Sequence, residues 1–173
     1  MRYVFFAVVS VVSLIFTGTI FPNLNIAGIY PDIIMCSIVS IALIEKSMAG
    51  AMLGLFCGLM LDLFFSGIIG FYALPYFVAG AILYFVSKNL RYLDKIFLPL
   101  AFVLGAYFVK EIVSSLLAYM LGVQFSFANM FIKIMLPQGI ATVVLMVIVH
   151  LIFLRVYRSS SMKLKSSEDF KHL

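Results

Sequence analysis

The chain has 173 residues, 65% of them hydrophobic and 11% charged, with a mean hydropathy of +1.19, a net charge of +5 and no tryptophan. A soluble domain of this size has too little interior to hide so much apolar side chain, so lipid is the solvent for most of it. The apolar runs are continuous rather than alternating, which excludes an outer-membrane barrel and leaves one all-α domain, a helix bundle in a bilayer.

Arg2 followed by an apolar run imitates a secretory signal. The run from Tyr3 to Phe21 is nevertheless long enough to cross a bilayer, and no small-x-small cleavage site follows it. It is read as a retained first helix, ended by Pro22, Asn23 and Asn25. Helix two starts near Tyr30-Pro31, where proline suits a first helical turn, and stops before the Glu45-Lys46 turn. Helix three runs from Ser47 to Phe65. It carries Gly50, Gly54, Gly58 and Asp62 at intervals of four, the spacing through which transmembrane helices pack closely. Each such step overshoots a full turn by about 40°, so the stripe winds slowly around the helix. Its expected use is internal packing on helix two or four.

A Ser66-Gly67 break separates helix three from helix four, Ile69 to Val86. The polar stretch Ser87 to Lys95 leads to helix five, Ile96 to Leu121. Val123 to Ile134 is too short to span, and Phe127, Met130, Phe131 and Ile134 make one apolar side, as in an interfacial segment. Helix six runs from Met135 to Val156. Residues 1–156 thus form a six-helix transmembrane domain and 157–173 a basic cytoplasmic tail, read either as a headgroup-associated end or as a docking strip for an inner partner. Cys36 and Cys57 fall inside spans, where cysteine packs as a small buried residue.

Charge placement orients the bundle. With the N-terminus inside, ten of the 12 basic residues lie on the inner side: Arg2, Lys46, Lys88, Arg91, Lys95, Arg155, Arg158, Lys163, Lys165 and Lys171. Lys133 alone lies outside, and Lys110 lies within helix five. Positive charge is retained on the cytoplasmic side, so both termini are cytoplasmic. The net charge reports membrane topology and gives no support to nucleic-acid binding.

Orientation allows depths to be compared. By the rise of about 1.5 Å per residue, Asp32 lies roughly 20 Å and Asp62 roughly 25 Å above the inner turn, with Lys110 and Glu111 about 21 to 23 Å above the start of helix five. Four ionisable residues from three helices therefore share the outer half, and Gln138 of helix six is placed to join them. Such groups in lipid are functional candidates by default. Adjacent residues on a helix do not share a face, so Lys110 and Glu111 are expected to point to different neighbours, Lys110 pairing with Asp62 or Asp32 and Glu111 neutral. The cluster either fixes helix register or receives a solute, an ion or a partner's helix. His150 has no second histidine near it and is read as a satisfied buried side chain. There is no zinc-protease histidine pair, nucleophile elbow, Walker loop or heme motif, so enzyme is the weakest function class, and neither cofactor nor metal is expected.

The order Pro31-Asp32 opening an apolar helix, a charged turn, then Gly50-x-x-x-Gly54 through Gly58 to Leu61-Asp62 resembles the MreD family of rod-shape-determining proteins. The likeness continues through Gly67, Gly70, Gly80, the basic stretch after helix four and Pro137, and covers nearly the whole chain. It implies a multi-pass protein of the bacterial cytoplasmic membrane in the cell-elongation machinery. Such a protein is a non-catalytic scaffold for peptidoglycan synthesis and cell shape. Its partners would be MreC, the RodA and penicillin-binding transpeptidase complex, and MreB filaments beneath the membrane. Pro31, Asp32, Gly54 and Asp62 match recurrent positions of the family; the resemblance assigns no role to Lys110 and Glu111, whose importance rests on depth and cost alone. The family's fold is thought similar to the S-components of energy-coupling-factor transporters, which supplies a second reading, a vitamin-capture subunit. Against it, Ala7 is followed at spacing four by Val11 rather than alanine, and tryptophan is absent.

Overall fold

In a computed structural model, residues 2–20, 29–88, 97–123 and 130–159 are described, and among them every regular element is helical. Helix α1 is Arg2–Ile15, extended by a π-helical turn, Phe16–Ile20; α2 is Ile33–Glu45; α3 is Ala49–Leu61, extended by a second π turn, Asp62–Ser66. Helix α4 is Ala73–Lys88, α5 is Phe97–Met120, and α6 is Leu136–Ser159, preceded by a third π turn, Phe131–Met135. Three helical segments are long and apolar enough to cross a membrane, Ala49–Ser66, Leu98–Met120 and Phe131–Val156, while Phe6–Ile20, Ile33–Glu45 and Ala73–Lys88 are shorter apolar helices.

The sequence of α2 explains why it is the centre. Every residue from Ile34 to Leu43 is buried, as befits a helix that is apolar all round, and α2 touches each of the other five helices. Its C-terminal end closes at Lys46, whose left-handed backbone (φ 47°) turns its N–H onto the Ala42 carbonyl at 3.0 Å. Its N-terminal end departs from the sequence expectation. Pro31 precedes the helix rather than standing in its first turn, and Asp32 is the N-cap, its Oδ1 accepting the Met35 N–H at 2.9 Å. An aspartate in that position satisfies an amide that the helix itself cannot.

The glycines of α3 decide how α2, α3 and α4 meet. A Cβ on Gly50 would lie 2.8 Å from the Ile38 carbonyl oxygen of α2; one on Gly54 would sit 3.0 Å from the Tyr76 carbonyl oxygen of α4 and also against Ile38; one on Gly58 would run into the Ala73 Cα. The stripe thus passes from α2 to α4 as it ascends, in the sense required by its slow winding. Gly80 of α4 returns the contact: a Cβ there would lie 2.7 Å from the Ala51 Cα. Cys36 and Cys57 are buried free thiols.

Two boundaries differ from expectation. Helix α4 starts at Ala73 rather than Ile69, because Gly67 and Gly70 adopt positive φ (67° and 102°) and residues 67–72 form a turn. The last helix starts at Phe131 rather than Met135, so the final residues of the expected interfacial segment are helical and continuous with α6. The helix-one stop at Pro22, Asn23 and Asn25, the basic residues Arg91 and Lys95, Phe127, and the tail beyond Ser159 lie outside the described residues.

Candidate functional site

Asp32, the cap of α2, is also the hub of a buried polar network. Its Oδ2 accepts the Tyr76 hydroxyl of α4 at 2.8 Å and the Lys110 ammonium of α5 at 3.0 Å. Its backbone N–H donates to the Thr142 hydroxyl of α6 at 3.0 Å, and Thr142 in turn donates to the Gln138 carbonyl at 2.7 Å. Lys110 Nζ also lies 2.8 Å from Glu111 Oε1 and sits over the rings of Tyr76 and Tyr107, 5.4 and 5.1 Å from their centroids. The Tyr107 hydroxyl closes the circle by donating to Gln138 Oε1 at 3.2 Å. Gly139 admits that ring: a Cβ there would already lie 3.4 Å from it.

Four helices are joined by this one set of bonds, and Asp32, Tyr76, Tyr107 and Thr142 are all buried. An ammonium surrounded by two carboxylates and two aromatic faces is compensated from every side. The arrangement is a clamp. Its bonds are charge-assisted and directional, so they hold only at one relative height of α2, α4, α5 and α6.

The expected cluster is therefore partly assembled. Asp32, Lys110, Glu111 and Gln138 converge; Asp62 does not join them. Its carboxylate instead accepts three amides of the following turn and helix, Gly70 N–H at 2.8 Å, Tyr72 N–H at 2.7 Å and Ala73 N–H at 3.1 Å. It caps α4 from the end of α3. The two glycine conformations bring those amides back to it, and the positive end of α4 favours the carboxylate. The second correction concerns Lys110 and Glu111, which meet rather than diverge. The rule about adjacent helical residues applies to Cβ directions, and four methylenes let the ammonium swing back to its neighbour's carboxylate.

The network continues inward along the α2–α6 seam. Cys36 Sγ donates to the Thr142 carbonyl at 3.5 Å, and Ser40 meets Met146 Sδ at 4.0 Å and His150 Nδ1 at 3.3 Å. Residues at spacing four on α2 thus face residues at spacing four on α6. Tyr76, Tyr107 and Thr142 escaped the sequence reading. Only Thr142 carried a signal, its position four residues after Gln138.

The bonds of the site join four helices of this chain. Among the described residues no three histidine, cysteine or acidic side chains converge as metal ligands. Two apolar cavities lie elsewhere: one of about 300 Å³ between α4 and α5, lined by residues such as Ala79, Ile82, Ala101 and Gly105, and one of about 190 Å³ between α1, α2 and α6.

A family model described as rod shape-determining protein MreD matches residues 1–160 of the chain. No curated protein and no solved structure matches it.

Proposed function

Since the chain belongs to the MreD family of rod shape-determining proteins, we propose that it serves cell-shape determination as a non-catalytic membrane scaffold, a six-span bundle that binds the single transmembrane helix of MreC. The family is one of bacterial membrane proteins that determine shape rather than a known enzyme family. Here the bundle stands in the cytoplasmic membrane with both termini inside. RodA and its penicillin-binding transpeptidase partner bind beside MreC, and MreB filaments meet the inner loops.

The observation that supports this reading is the disposition of the intramembrane polar groups. Charges that would serve a transport pathway or a reaction face a water-filled cavity. Here they are consumed in helix caps and in one clamp between four helices, while the large apolar side chains of α1, α5 and α6 face outward. A rigid bundle with an apolar exterior suits association in lipid, where close packing and a few interhelical hydrogen bonds do the work.

Affinity isolation from native bacterial membranes tests it. Recovery of MreC with the tagged chain is the expected result. Recovery of paired ATPases in place of MreC would overturn the scaffold reading in favour of a solute-capture subunit.

A further inference from the structure

Helices α4 and α5 leave a gap between them at the end of the bundle away from the clamp. Their facing positions are small: Ala79 on α4 and Ala101, Gly105 and Ala106 on α5 line the cavity of about 300 Å³. Ala79 and Ala106 are buried at its floor, whereas Ile82 and Val86 on one rim and Ala101 and Gly105 on the other are exposed. Gly105 shows how open the space is, since a Cβ there would meet nothing within 4 Å. The gap is thus a groove open to the surroundings, and for an apolar rim in a membrane protein those surroundings are acyl chains. Its length decides what kind of molecule fits. The groove runs from Val86 to Ala79 on α4 and from Ala101 to Val109 on α5, about 11 to 12 Å of helix rise. That is less than half of a hydrocarbon core about 30 Å thick. One turn beyond Ala79 the groove is stopped by the clamp, where Tyr76 of α4 and Lys110 of α5 converge on Asp32. A partner's transmembrane helix would lie along the whole core, so a pocket confined to one half suits a lipid chain better.

The other end of the groove supplies the sign of the headgroup. It leads toward the end of α4 at Lys88 and the start of α5 at Phe97. Residues 88–96, which connect these two walls, hold Lys88, Arg91 and Lys95 against the single acid Asp94, and Lys88 is exposed. Basic sequence beside a cleft between transmembrane helices is the setting in which anionic headgroups are held.

We infer that the α4–α5 groove is a binding site for an anionic phospholipid, an acyl chain lying against Ala79, Gly105 and Ala106 and the headgroup at the basic end. The inference rests on membrane placement and is independent of the scaffold reading. The chain has no tryptophan, so one introduced at a chosen position reports its lipid neighbours through quenching by brominated acyl chains. Ile82→Trp puts the reporter on the groove rim, and Val144→Trp, on the exposed face of α6, samples bulk lipid. The purified full chain is placed in phosphatidylethanolamine vesicles containing increasing brominated phosphatidylglycerol. Half-maximal quenching of Ile82→Trp is expected at a phosphatidylglycerol fraction about fivefold lower than for Val144→Trp, the equivalent of one basic group near the surface. Adding Gly105→Leu, or Ala101→Leu where the first does not fold, fills the groove and abolishes the difference. Lys88→Gln, Arg91→Gln and Lys95→Gln together leave the quenching and abolish the preference. Thermal denaturation in detergent confirms that each variant is folded. Equal half-points at the two reporters would overturn the inference, because the groove would then hold bulk lipid only. So would an Ile82→Trp reporter that brominated lipid does not quench, which would mean that the walls close on each other. A preference that survives Gly105→Leu in a folded chain places the lipid elsewhere and overturns it as well.

Discussion

Lys110 is the cation shared by both carboxylates of the clamp, and its removal leaves Asp32 and Glu111 near each other with no ammonium between them. Stranding buried charge in this way costs about 3–5 kcal/mol. Lys110→Met is therefore expected to lower the thermal midpoint in detergent sharply. Adding Asp32→Asn to Lys110→Met recovers part of the loss, because one of the stranded charges is gone; equal midpoints for the single and double variants would refute the clamp. Tyr76→Phe removes one bond to a charged acceptor, about 1.5–3 kcal/mol, and is the milder change. The sequence disclosed this site through depth alone. Counting rises from the inner turn brought Asp32, Lys110 and Glu111 to one height. It also brought Asp62 there, because height says nothing of direction. Which amides Asp62 receives depends on a glycine turn five to ten residues later, and no periodicity encodes that. Tyrosines in a chain with nine of them carry no mark that separates the two in the network from the rest.

Between elements, glycine does two different jobs. Gly58 meets the Ala73 backbone, which has nowhere to retreat, whereas a Cβ on Gly105 meets nothing within 4 Å. Gly58→Ala is expected to destabilise the α3–α4 pair by about 1–3 kcal/mol. Gly105→Ala, which only raises helix propensity, stabilises by up to about 1 kcal/mol. Opposite signs in detergent unfolding check the pair, and a common sign would show that the glycines of α3 are not there for close approach. Asp62→Ala acts on the same pair through the cap. Losing an acceptor for three amides exceeds an ordinary capping loss, so at least about 2 kcal/mol is expected. Amide exchange at Gly70, Tyr72 and Ala73 should accelerate ahead of the rest of α4. Helix number and the inner Glu45-Lys46 turn were legible because apolar length and charge mark them plainly. The outer ends were misjudged by up to four residues. There the chain stays apolar through π turns and a glycine loop, so hydrophobicity continues where the helix does not.

For the molecule as a whole, the unequal helices have to be reconciled with the six crossings proposed for it. At about 1.5 Å per residue α2 is roughly 20 Å long and α4 roughly 24 Å, short of a hydrocarbon core about 30 Å thick. The remaining depth falls to non-helical backbone at 29–32 and 67–72. Such backbone is tolerated in lipid only where protein groups satisfy it. Asp32 and Thr142 do so above α2, and Asp62 above α4. On the proposed six-span reading, the two aspartates let short helices serve as spans. The turn above α3 adds its own evidence of immersion, since Leu63, Phe64, Phe65 and Ile69 are 61–75% exposed, a patch that water does not favour. Single cysteines in a chain with Cys36 and Cys57 replaced test this with a membrane-impermeant maleimide on intact cells stripped of their outer layers. Lys133→Cys should react from outside, and Lys88→Cys only after permeabilisation. Ile69→Cys, although open to its surroundings, should react far more slowly than Lys133→Cys because those surroundings are acyl chains. Rapid labelling of Ile69→Cys would place the α3–α4 turn in water, and the aspartate caps would then no longer explain how α4 crosses.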